Sequence, residues 1–196
     1  MEMGLYLRST DIVDWHHPRV AAKARELSMG CTDPVTTARV CFEWVRDNIR
    51  HIGDFNITTV ACSASEVLQT ASGVCYAKSH LLVSLLRANG IPAGFCYQRL
   101  SVDDNGPPFC LHGMAAVHLP GTGWYRLDPR GNNDTVNARF DPPHERLCYI
   151  PHIRGEADLP EIWADPLPVI VESLMTYRTK DDLWAHLPDV HLFNVR

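Results

Sequence analysis

Residues 71–92 read ASGVCYAKSHLLVSLLRANGIP, and the reading of this stretch decides the fold. Ala77, Leu81, Leu82, Val83, Leu85, Leu86 and Ala88 cover most sides of a helical wheel, the pattern of a helix buried all round. Asn89 and Gly90 close it, with Pro92 just beyond. Gly73 permits a sharp turn before it, so Cys75 stands at the N-terminus of what is predicted to be the central helix. A thiol there feels the positive end of the helix dipole, and the Cys75 amide is placed to donate to a developing oxyanion.

Upstream, residues 18–29 begin with Pro18 and put Val20, Ala21, Ala24 and Leu27 on one side, which predicts an amphipathic helix ending near Gly30. Asp33-Pro34 supplies an N-cap and a first-turn proline for a second helix, along which Val35, Ala38, Cys41, Phe42, Val45 and Ile49 recur at three- and four-residue spacing. Ser63 to Glu66 forms a capping box for a short helix to about Thr70. Downstream the period changes, and strands are expected at 94–100, 112–119 and 123–128. Helices first and strands second predict an α+β domain, with helices packed on an antiparallel sheet. A single domain over 1–196 is expected, its core about 34–129 with a C-terminal extension over 130–196. In that extension the pattern suggests a loop at 131–137, a further strand at 148–153 and a helix at 169–179, to which no function is assigned.

Composition narrows the function classes. The chain has 196 residues, 45% hydrophobic and 21% charged, with a net charge of −5, so no nucleic-acid or anionic-membrane partner is expected. No apolar run approaches the roughly 20 residues of a bilayer span, and the N-terminal MEMGLYLRSTDIVDW lacks a signal-peptide core, from which a cytoplasmic location is expected. Seven cysteines at irregular spacing, without a C-x-x-C pair, argue against a disulfide framework and a thiolate zinc site. His16, His17, His51 and His80 follow no ligand spacing and read as solvated or capping residues; no metal and no cofactor are expected.

A nucleophilic cysteine needs a base, and the base needs an orienting acceptor. LHGMAAVHLPGTGWYRLDP, residues 111–129, offers both: His112 begins one predicted strand and Asp128 ends the next. Their even separation lets them share a sheet face if the connecting loop is odd in length or bulged. His118 is the rival base, but it lies against the turn, roughly 20 Å along the strand from His112. Tyr76 and Asn56 are candidates for a second oxyanion donor, and Trp124 for a wall of the site.

The two segments GVCYAKSHLLVSLLRANGIPAG and HGMAAVHLPGTGWYRLDP resemble the core of the transglutaminase-like superfamily, from roughly Pro34 to Pro129. The resemblance implies a papain-like α+β fold, with nucleophile Cys75, histidine His112 and aspartate Asp128. It also implies attack on an amide of a peptide, a protein or a small molecule to give a thioester. Met114 stands where the family has a tryptophan, and Arg130 where it has a threonine, which bears on the pocket and the substrate class. No calcium loop of the EF-hand kind is present in the sequence. Hydrolysis is expected in preference to crosslinking, and the alternative is a catalytically silent peptide-binding module of the same fold.

Overall fold

The structure, a computed structural model, describes residues 3–191, so both ends of the expected 1–196 domain lie outside the described residues. After a 3-10 turn at Met3–Tyr6 come α1 (Pro18–Ser28), α2 (Pro34–Asn48), β1 (Arg50–His51), α3 (Ala64–Thr70), β2 (Ser72–Gly73) and α4 (Cys75–Ala88). Then follow β3 (Ala93–Ser101), β4 (Phe109–Leu119), β5 (Gly123–Leu127), β6 (Ala157–Asp158), α5 (Pro168–Thr176) and α6 (Lys180–Ala185).

The expected starts form for the expected reasons. Asp33 caps α2 by accepting from the Thr36 amide at 2.8 Å. Ser63 and Glu66 exchange the reciprocal bonds of a capping box at the start of α3. The strands β5-β4-β3-β6 form one antiparallel sheet in that order. Every residue of α4 from Cys75 to Arg87 is buried, because α1, α2 and α3 pack on one side of it and β3 and β4 on the other. The Arg87 guanidinium, also buried, donates to the carbonyls of Arg8, Ala93 and Ala164, tying the exit of α4 to β3 and to two segments distant in sequence.

Three elements depart from expectation. The segment at 148–153 forms no strand; the sheet instead gains β6, where Ala157 and Asp158 pair with Arg99 and Gln98. The helix expected over 169–179 stops at Thr176, and a second one, α6, follows, capped by Thr179 accepting from the Asp182 amide at 3.3 Å. The short strands β1 and β2 pair in parallel, Arg50 with Ser72 and His51 with Gly73. Two-residue strands carry no periodicity for a sequence to show. The extension is not peripheral: Ile170, Leu174 and Leu183 join the same apolar cluster as α4.

Candidate active site

The parallel pairing of β1 with β2 holds the chain immediately ahead of Cys75, and Ala71 in a left-handed conformation (φ 50°) turns it from α3 into β2. Val74 precedes α4 in extended conformation and offers no side-chain cap. The opening amides of a fourteen-residue helix therefore have no side-chain acceptor there.

Two bonds bolt this helix start to β4. The Tyr76 hydroxyl donates to the Leu111 carbonyl, and Ser79 Oγ donates to the Cys75 carbonyl at 2.9 Å and the Gly113 carbonyl at 3.3 Å. The anchor points on β4, residues 111 and 113, flank His112. Gly113 is needed for the approach, since a Cβ there would lie 2.6 Å from Tyr76 Cδ1 and 3.2 Å from Tyr76 Cα.

On the hairpin, Leu119 pairs with Gly123 across a loop of three residues, an odd number, and Ala115 pairs with Leu127. One step further along that register Asp128 falls opposite Met114, so His112 and Asp128 are diagonal neighbours on one face. His112 Nε2 and Asp128 Oδ2 are 2.8 Å apart. Asp128 is 1% exposed and accepts two further bonds, from the Cys148 amide to Oδ2 at 3.1 Å and from the Arg130 amide to Oδ1 at 3.2 Å. Burial by itself would raise the Asp128 pKa, but the His112 charge and these bonds outweigh it and hold it below the usual carboxylate range. Burial would likewise depress the His112 pKa, yet the Asp128 charge, the Cys75 sulfur and the hydrogen bond to Asp128 push it up to about 10.

Cys75 and His112 both line a cavity of about 650 Å³, within the range of small-molecule and peptide-side-chain sites. Tyr149 stands edge-on to the His112 ring, 4.9 Å between centroids. Of the other cysteines, burial pushes Cys41 up to about 12, Cys62 to about 11 and Cys110 to about 12, and raises Cys96 and Cys148 as well, which makes all five poor nucleophiles at neutral pH.

Several expected site residues lie elsewhere. Met114 is fully buried in a second apolar cluster with Cys96 and Ala116, against which Trp124, Leu147 and Ile162 pack; neither Met114 nor Trp124 lines the cavity. Trp124 packs on Tyr6, at 4.7 Å, and on His118, at 5.5 Å, instead. The Tyr76 hydroxyl is committed to Leu111, which removes it as an oxyanion donor, although the residue does line the cavity. Asn56 accepts from Lys180 Nζ on the surface, outside the cavity lining. Cys75 itself begins α4 and lines the cavity.

Other wall residues were not expected. Tyr149, Ile150 and Trp184 come from the extension, and the tryptophan of the site is Trp184 on α6. His51, read as solvated or capping, is buried in the cavity wall. Nothing in the spacing of these residues signals the site, because they reach it only through the packing of distant segments. Among the described residues no group of three or more His, Cys, Asp or Glu side chains is placed to hold a metal ion, and no helix is long and apolar enough to cross a membrane.

The sequence profile of the Transglutaminase-like superfamily matches residues 21–129. No curated protein matches the chain. Among solved structures, a candidate cysteine protease from Cytophaga hutchinsonii superposes with a TM-score of 0.53 at 20% identity, covering 66% of this chain and 42% of that one. The periplasmic domain of TgpA from Pseudomonas aeruginosa gives 0.46 at 21% identity, covering 63% and 45% respectively. The chain thus spans less than half the length of either, and the likeness to the Cytophaga hutchinsonii protein is one of fold.

Proposed function

This chain belongs to the transglutaminase-like superfamily, and on that premise we propose that it is a cysteine-dependent hydrolase that cleaves an amide or peptide bond through a thioester on Cys75. The observation that carries this reading is the buried His112–Asp128 pair, 2.8 Å apart, whose histidine lines the same cavity as Cys75 at a helix N-terminus. With Asp128 beside it, His112 retains its proton through neutral pH and is placed to give it to a departing amine.

The thiolate attacks the carbonyl carbon; the carbon–sulfur bond forms as the carbonyl π pair moves to oxygen. Collapse of that oxyanion breaks the carbon–nitrogen bond, and His112 gives its proton to the departing amine. Water then attacks the thioester while His112 takes one of its protons. A second collapse breaks the carbon–sulfur bond, releasing the acid and restoring the ion pair. Asp128, pinned by the Cys148 and Arg130 amides, keeps the imidazole oriented throughout.

Iodoacetamide labelling read by mass spectrometry at pH 7 tests the reading. One fast-reacting site at Cys75, lost in Cys75→Ala and slowed in His112→Ala, is expected. Uniform slow reactivity across the thiols would overturn it and leave a peptide-binding module. A library of small amides and peptides, with Cys75→Ala as blank, then identifies the substrate. Adding a primary amine and recovering its conjugate in place of the acid would reassign the second step to acyl transfer.

A further inference from the structure

We infer that His51 is the second donor of the oxyanion hole at Cys75, an assignment that rests on the reading above. The donors expected beside the Cys75 amide are gone, since the Tyr76 hydroxyl is engaged by Leu111 and Asn56 lies outside the cavity lining. His51 takes that place by way of the β1–β2 pairing, which sets it beside Gly73, two residues before the nucleophile. Its ring forms part of the cavity wall and is 8% exposed.

A buried imidazole is ordinarily hydrogen-bonded, yet Nδ1 has no partner. The nearest carboxylate, Asp54, is 3.9 Å from Nδ1, beyond hydrogen-bond reach. It is occupied by Arg130, whose guanidinium donates to it twice, at 2.6 and 2.8 Å. Asp54 therefore does not hold the ring proton on Nδ1, which leaves the ring able to present an Nε2–H to the cavity. Burial first, and then the Arg130 charge, keep the ring neutral, with a pKa pushed down to about 3. A neutral imidazole donates a hydrogen bond to an oxyanion without surrendering its proton, the role such a ring plays as an electrophile at other enolate and oxyanion sites.

The second half of the hole is the uncapped start of α4, whose dipole favours negative charge at that point. As the sulfur–carbon bond forms and the carbonyl π pair moves to oxygen, the Cys75 amide and the His51 N–H bond that oxygen. Neither transfers a proton, and both bonds slacken when the oxyanion collapses.

Two reactions of Cys75 separate this role from a structural one. Iodoacetamide displaces iodide at a saturated carbon and forms no oxyanion. p-Nitrophenyl acetate acylates the thiol through a tetrahedral intermediate, and the nitrophenolate released in a single turnover reports it. His51→Phe is expected to slow acylation by about 10²–10³-fold and to leave the rate and pH profile of alkylation as in the wild type. His51→Gln, which keeps an N–H, is expected to recover much of the acylation rate, and His51→Leu, which also lacks a donor, serves as the decisive variant if the phenylalanine form does not fold. Parallel loss of both rates, or unchanged acylation in a folded variant that lacks the donor, overturns the assignment. A wild-type Cys75 that alkylates rapidly but is not acylated overturns it while leaving the ion pair standing. A Cys75 that does neither brings down the underlying reading as well.

Discussion

Replacing Gly113 by alanine is expected to damage the site without touching any group that moves a proton. The new Cβ would lie 2.6 Å from Tyr76 Cδ1 and 3.2 Å from Tyr76 Cα, against a comfortable carbon–carbon separation of about 3.5–4.0 Å. The overlap with the ring is therefore on the order of 1 Å. The ring cannot swing clear, because its hydroxyl is tethered to the Leu111 carbonyl on the same strand. The start of α4 must retreat from β4 instead, carrying Cys75 away from His112. Overpacking of this kind costs about 1–3 kcal/mol, which for a chain of this size lowers the thermal midpoint by roughly 2–12 °C. A displacement near 1 Å at a reacting group costs on the order of 100-fold in rate. Scanning calorimetry gives the first quantity and the alkylation rate of Cys75 at pH 7 the second. Tyr76→Phe removes the tether, so both losses should be smaller in that background than in the wild type. Wild-type stability and wild-type alkylation in Gly113→Ala, or losses unchanged by Tyr76→Phe, would refute the claim that this glycine sets the distance between helix and strand.

Two other perturbations probe the charges. Asp128→Asn removes the main group that raises the His112 pKa and breaks a pair whose side chains are 7% and 0% exposed, so a loss of about 3–5 kcal/mol is expected in urea unfolding at pH 7. NMR titration should show the His112 ring losing its proton well below pH 10, and persistence near that value would sink the assignment of Asp128 as its partner. His80 donates no charge to the site but is buried, and burial pushes its pKa down to about 4, although its Nδ1 bonds the Cys62 carbonyl at 2.7 Å. Its folded pKa lies below the unfolded value of about 6.5, so the unfolded chain takes up the proton first and stability falls as pH drops from about 6.5 toward 4. His80→Leu is expected to flatten that fall, measured as the urea midpoint between pH 7 and pH 4.5; an unaltered slope would mean that His80 titrates normally in the fold.

How much of the site was legible differs from residue to residue. Parity permitted the pairing of His112 with Asp128, since a strand alternates faces every residue, and the odd hairpin loop then puts the two on one face. Met114, expected at the pocket from the resemblance, and Trp124, expected there from its place on the hairpin, do not line the cavity. Met114 shares a face with His112, but Leu147 and Ile162 from the extension cover that part of the face and leave His112 open to the cavity. No period in β4 records where a segment some thirty residues downstream comes to rest.

The sequence by itself determined the helical half of the chain, the buried α4 with its cysteine at the first position, the hairpin, and the triplet Cys75, His112 and Asp128 as candidates. Those features rest on local periodicity and capping, which act within a few residues. Only the tertiary structure decided which groups wall the cavity. His51 arrives through a two-residue parallel pairing, and Tyr149 and Trp184 arrive from the extension, while Asn56 is drawn off to Lys180 on the surface. Contacts of that kind depend on how packed elements are placed relative to one another, a quantity set by the whole core and written in no single stretch of the chain.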